Sequence, residues 1–196
     1  MPAGRPLLAE FAAALAGWEW DVALLQEVPP WWPPALAEAA GAEQRLVLTS
    51  RNFPLALRRA IASRAPDLLK ANGGGCNAIL AREPILEHRT HRLTWRPERR
   101  WAHAVRLAGG WVVNVHASTH RGEWALRDTL RALDWAPRPL LVFGGDLNLR
   151  RVELPGLRHV AGNHVDHLFT DGRPGRAAEV LERGRLSDHP PVRVTL

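Results

Sequence analysis

Short apolar runs alternate with helical periodicities along this chain. Leu7, Leu8, Phe11 and Leu15 recur at helical spacing, with Pro6 before them and Gly17 after, which predicts a helix over 6–17. Asp21–Val28 holds four consecutive apolar residues, Val22 to Leu25, and predicts a strand covered on both faces. Pro29, Pro30, Pro33 and Pro34 then stop the strand and open a loop around Trp31 and Trp32. A short helix is expected near Ala35–Ala40 and a strand near Arg45–Thr49. Residues 54–71 read as a helix with Arg58, Arg59, Arg64 and Lys70 on a solvated face, followed by a turn at Gly73–Gly75. Strands are expected at Cys76–Ala81, Arg89–Trp95, His103–Leu107 and Trp111–His116, with a hairpin turn at Gly109-Gly110. Trp124, Leu126, Leu130 and Leu133 set a helix over Glu123–Trp135. Leu140–Phe143, Val165–Thr170, Ala177–Leu181 and Pro191–Leu196 supply the remaining strands. Early strand–helix alternation and hairpins in the middle predict an α/β domain with a mixed sheet, with two facing sheets as an open option.

The stretch Leu140–Arg150, LLVFGGDLNLR, concentrates the chemistry. Its apolar run ends at Gly144-Gly145, where missing side chains let another backbone or a ligand approach. Asp146 and Asn148 follow two residues apart, a spacing that sends both side chains to one side of extended backbone. Taken alone, the pair reads better as a helix N-cap or Asx-turn than as a site.

Composition narrows the choice. A chain of 196 residues fits one domain, 1–196, and can bury a real core. Cys76 is the single cysteine, so no disulfide framework exists. No apolar run approaches the ~18 residues that span a bilayer, and Leu7–Leu15 carries Glu10, unlike a signal peptide. A cytoplasmic location is expected on that basis. The net charge is +6, and Lys70 is the only lysine. An Arg-rich surface suits phosphate recognition, although a compositional preference for Arg accounts for it equally well; the absence of Tyr beside nine Trp points to such a bias.

Acids and histidines recur where strands end: Glu27, His116, Asp146 with Asn148, Asp166, and Ser187-Asp188-His189. Carboxylate and amide oxygens are the hard donors that Mg²⁺ prefers, and histidines beside carboxylates serve as acid/base groups. His159, His164 and His167 lack an accompanying zinc motif and read as surface or loop histidines.

The segments LLQEV, CNAILAREP, VVNVHAS, VFGGDLN, VDHLF and LSDHPPV, in this order, resemble the endonuclease/exonuclease/phosphatase superfamily of DNase I-like phosphoesterases, from about residue 21 to the C-terminus. The resemblance implies an α/β four-layer sandwich of two mixed β-sheets flanked by helices. It implies phosphate-ester hydrolysis with Mg²⁺ or Mn²⁺, on DNA or RNA as leading substrates. By the same resemblance Glu27, with Gln26 beside it, and Asp188 are the metal-side carboxylates. Asp146 orients or deprotonates water, and Asn148 hydrogen-bonds the phosphoryl oxygen. His189 touches the scissile phosphate with Asp166 as its partner, and His116 is a second histidine with Glu83 as its partner.

Family members begin with a strand ending in an Asn that joins the metal site. Here Met1-Pro2-Ala3-Gly4-Arg5 leads straight into the helix, and the first Asn is Asn52. The expectation is therefore an N-terminally truncated domain lacking the first strand. Two rival functions stand beside the nuclease: a phosphatase on a small molecule, lipid head group or inositol phosphate, and a non-catalytic binding module that keeps the fold.

Overall fold

A computed structural model describes residues 7–49, 57, 59–61, 75–96, 98–184 and 186–196. Among these residues the elements follow in order: α1 (Leu8–Gly17), β1 (Val22–Val28), α2 (Trp32–Ala40), β2 (Glu43–Leu48), β3 (Cys76–Ala81), β4 (Glu87–Thr94), β5 (Arg100–Leu107), β6 (Gly110–His116), α3 (Gly122–Trp135), β7 (Leu140–Asp146), β8 (Arg158–Asn163), β9 (Asp166–Thr170), β10 (Arg176–Val180) and β11 (Val192–Thr195). Most of the expected helix over 54–71 and turn at Gly73–Gly75 lies outside the described residues; positions 57 and 59–61 are helical.

Six strands form one sheet in the order β4-β5-β6-β7-β9-β8, three form a second in the order β1-β3-β2, and β10 pairs with β11. All pairings are antiparallel except β6 with β7. Side chains alternate across each strand, so strands covered on both faces feed two cores. In β3, Cys76, Ala78 and Leu80 face α1 and α2, where Leu15, Trp32, Leu36 and Ala37 meet them. Ile79 and Ala81 face inward, against Val105, Leu107 and Val112 of the larger sheet. The other face of the larger sheet, with Ala102, Ala104, Val113, Val115 and Phe143, packs on Ala132 and Leu133 of α3. Helix, sheet, sheet, helix: the four layers expected from the resemblance are present.

β2, β3 and β1 lie across from β5, β6 and β7, and β11 lies across from β8. Among the described residues no strand packs to a comparable extent across from β9, and β1 has β3 as its only partner. Among the described residues, β11 pairs only with β10, and the β1 and β11 edges are not hydrogen-bonded strand to strand. Arg193 of β11 donates from Nη1 to the Glu19 carbonyl, just before β1, at 3.0 Å.

Local differences have local causes. Pro33 and Pro34 do not prolong a loop; they sit in the first turn of α2, where a missing N–H costs nothing. β7 runs through Gly144-Gly145 to Asp146 instead of stopping at Phe143, because both neighbours pair along its whole end. A Cβ on Gly144 would stand 2.2 Å from the His167 carbonyl oxygen, and one on Gly145 2.2 Å from that of Val115. β8 was not anticipated: its RHVAGN segment lacks an apolar run and lies at the sheet edge. His159 and His167 therefore stand on strands, not loops. His167 is buried, with its ring nitrogens 3.0 Å from His159 Nε2 and 2.7 Å from the Leu149 carbonyl oxygen.

Between the sheets lies a second histidine pair. His103 is fully buried and its Nδ1 is 3.3 Å from His88 Nε2, while its own Nε2 has no protein partner. Burial, with His88 adding to it, pulls the His103 imidazole down to about 3. The folded protein thus keeps it neutral where an unfolded chain, with an ordinary pKa near ~6.5, takes up a proton. Stability from this group is present above about pH 6.5 and is lost as pH falls toward 3, with a slope of at most about 1.4 kcal/mol per pH unit. The melting temperature of His103→Gln is expected to fall less steeply than that of the parent between pH 7 and pH 5 (an acid range bracketing ~6.5); equal slopes would contradict a neutral His103. Gly145→Ala, at φ 126°, is expected to cost more than about 3 kcal/mol in denaturant unfolding, since the clash is with backbone on a central strand.

Candidate active site

Pairing register builds the site. His116 of β6 is opposite Asp146 of β7, and Asp146 is opposite Asp166 of β9. Residues opposite one another share a face, so the three side chains form a row on the inner face, at the mouth between the sheets. Asp146 uses its two oxygens differently. Oδ1 accepts the Asn148 N–H at 2.9 Å, an Asx-turn, while Oδ2 lies 3.6 Å from His116 Nε2. Turn and site roles therefore coexist in one carboxylate. Asn148, at φ 51°, donates from Nδ2 to the Ala117 carbonyl at 3.0 Å, which ties it to the segment leaving β6.

The other groups arrive from loops. His189 precedes β11 and places Nδ1 3.1 Å from Asp166 Oδ2. Asp188 beside it is exposed. Glu27 comes from the end of β1, at a bulge between Leu25 and Val28 and with φ 54°, a conformation non-glycine residues adopt only when surroundings enforce it. Its Oε1 is 3.9 Å from His116 Nδ1. Asn114, absent from the sequence reading, enforces that position. It accepts from Gln26 Nε2 at 2.7 Å and donates to the carbonyls of Leu25 and Ala78, at 3.1 and 2.9 Å, stitching β1 and β3 to β6 beneath the site.

Arg100 and Glu98 were also missed. Arg100 is 6% exposed at the start of β5, and its Nη1 lies 2.9 and 3.0 Å from Nδ1 and Nε2 of His116. Its Nη2 donates to Glu98. In the sequence it is one of several arginines between Arg89 and Arg106, and only the strand's parity separates it from solvated neighbours. Glu83 is not brought to His116. It sits at the bend after β3, where Val22 opposes Ala81, the other end of the β1–β3 pair from Glu27 and about 17 Å away by strand rise. The carboxylate that does face His116 Nδ1 is Glu27.

Charge in the site is unbalanced. Loss of water raises Glu27; Arg100 opposes this, and Asp146, Asp188 and Glu98 add to it. Asp146 is raised by desolvation against the Asn148 hydrogen bond and the nearby His189 and Arg100, with Asp188 adding to the rise. Asp166 is pushed up to about 6 by desolvation and the Asp146 charge, with His189 pulling the other way. His116 is held well below the usual imidazole range by burial, then by Arg100 and His189, so it is neutral. Crowded carboxylates of this kind fit a divalent cation. Donor atoms of Asp146, Asp166 and His189 lie within 4.8 Å of one another, and oxygen-rich sets of this sort suit Mg²⁺ or Mn²⁺.

Comparison with known proteins agrees with this architecture. An endonuclease/exonuclease/phosphatase from Beutenbergia cavernae superposes with a TM-score of 0.71 at 20% identity, covering 95% of this chain and 65% of that one. Danio rerio TDP2 complexed with a single-strand DNA product gives 0.62 at 17% identity, covering 96% and 92%. The 3′ phosphatase NExo from Neisseria, bound to a product DNA hairpin, gives 0.62 at 16% identity, covering 96% and 93%. No curated protein matches by sequence. The sequence model of the Endonuclease/Exonuclease/phosphatase family matches residues 3–189, nearly the whole chain, and the chain belongs to that family.

Proposed function

We propose that this protein is a divalent-metal-dependent phosphodiesterase that cleaves nucleic acid by in-line attack of water. The observation that carries the reading is the His116–Asp146–Asp166 row with His189 held on Asp166 at 3.1 Å. Glu27 and Asp188, the carboxylates at the rim beside Asp146, would hold Mg²⁺ or Mn²⁺. When bound, the ion supplies positive charge to the phosphoryl and leaving oxygens.

The chain's own groups divide the remaining work. Asp146 Oδ1 is fixed by the Asn148 N–H, so Oδ2 is aimed and can orient a water and take its proton. Asp166 engages His189 Nδ1, which orients the ring and leaves Nε2 on the side away from Asp166, where a phosphate oxygen would sit. Asn148 spends one N–H on Ala117 and has a second for a non-bridging oxygen. Arg100 is a permanent positive charge behind His116 that holds the imidazole in place and adds to the burial that disfavours its protonation.

Asp146→Ala and His189→Ala are each expected to lower Mg²⁺-dependent hydrolysis of bis-p-nitrophenyl phosphate by about 10²–10⁴-fold, with unchanged circular dichroism. Parental activity in both would remove this site assignment, and binding of DNA without any hydrolysis would favour the non-catalytic module. Chelation by EDTA is expected to abolish turnover, and Mg²⁺ or Mn²⁺ to restore it; full activity in EDTA would exclude the metal-dependent reading.

A further inference from the structure

The residues joining β4 to β5 carry an exposed arginine–tryptophan stack. Arg92 Cζ lies 5.3 Å and Arg99 Cζ 4.1 Å from the Trp95 ring centroid. Trp95 remains 48% exposed, and Arg92, Arg96 and Arg99 are all exposed. A second stack stands at the start of α3. Arg121 Cζ is 5.2 Å from the Trp124 ring, against which His120 also stacks, with centroids 6.3 Å apart.

Glu98, the residue before Arg99, ties the second stack to the reacting groups. Its carboxylate is 3.1 Å from His120 Nδ1, accepts from Thr119 Oγ1 at 3.2 Å and pairs with Arg100, whose other nitrogen meets His116. The scaffold under them is fixed, because Arg131 of α3 donates to the Leu93 carbonyl at 3.1 Å and Arg127 to Thr94 Oγ1 at 3.3 Å. Acidic groups do little to cancel the charge. Glu98 is already engaged, and Glu123 meets Arg121 at 3.5 Å with both side chains more than 60% exposed, a pair worth little in water.

We propose that this surface, from Trp95 to Trp124, holds a single-stranded nucleic acid segment on one side of the scissile phosphate. The proposal rests on the phosphodiesterase reading and names the form of polymer the site receives. A guanidinium lying on an indole keeps its N–H edge turned outward, in the geometry that takes phosphate oxygens in pairs. Half-exposed indoles and guanidinium planes also stack unpaired bases, whose faces a duplex would hide.

The test compares the full chain with Arg92→Gln/Arg99→Gln/Arg121→Gln and with Trp95→Leu. Binding of a labelled oligonucleotide of roughly 12 residues is followed by anisotropy in EDTA across a salt series. The triple variant is expected to bind more weakly, with a log–log salt slope shallower by about 2, three phosphates at ~0.7 each. Its loss in kcat/KM on the oligonucleotide should exceed that on bis-p-nitrophenyl phosphate by roughly tenfold or more. Trp95→Leu should weaken single-strand binding and leave the slope in place. An unchanged slope and affinity in the triple variant would overturn the proposal, as would equal losses on both substrates. Loss of binding to phosphatidylserine vesicles with oligonucleotide binding intact would assign the surface to a membrane instead. Asp146→Ala separates the two readings: it should bind the oligonucleotide like the parent, whereas undiminished hydrolysis by Asp146→Ala would fail the site and leave the salt slopes to decide the surface.

Discussion

Close approach of β7 to both of its neighbours is the constraint on which this site depends. At Gly144 and Gly145 the backbones of β9 and β6 come so near that a methyl group would collide with a carbonyl oxygen. That contact sets the register, and the register sets the row of His116, Asp146 and Asp166. A shift by one residue would turn Asp146 to the opposite face, into the apolar core under α3. The two glycines are thus an element of alignment as much as of space.

Alignment within one sheet is only half of the construction. Glu27 belongs to the other sheet and reaches the row because Asn114 grips β1 and β3 from below, with all of its hydrogen bonds directed at the facing layer. A buried amide with satisfied partners can fix one sheet against another where apolar contacts would let them slide. Arg100 plays the electrostatic counterpart. It brings a fixed cation to a region where carboxylates gather, and it orients the His116 imidazole, which burial first and Arg100 second hold well below the usual range.

Much of the fold was legible because strands covered on both faces write continuous apolar runs, and VALL, CNAILA and WVVNVH are such runs. β8 was illegible for the converse reason: an edge strand of polar residues and glycine carries no period to read. Strand ends bearing Glu27, Asp146, Asp166 and His189 stood out because acids and histidines follow apolar runs there. Asn114, Glu98 and Arg100 did not, since their significance depends on which face a residue takes and which layer lies opposite. Glu83 shows the same limit from the other side. Its sequence context suggested a partner for His116, but antiparallel pairing of β1 with β3 carries it to the far end of the sheet.

The site is assembled from elements of very different solidity. His116 and Asp146 end β6 and β7, strands almost wholly enclosed, whereas His189 lies on the connection between β10, exposed at every residue, and β11. Amides of β6 should exchange with solvent only through global unfolding, while those of the β10–β11 ribbon exchange through inexpensive local opening. When that ribbon opens it withdraws His189 from Asp166 and leaves the rest of the row standing. The position of His189 then depends on a local equilibrium of two strands, one of them exposed at every residue.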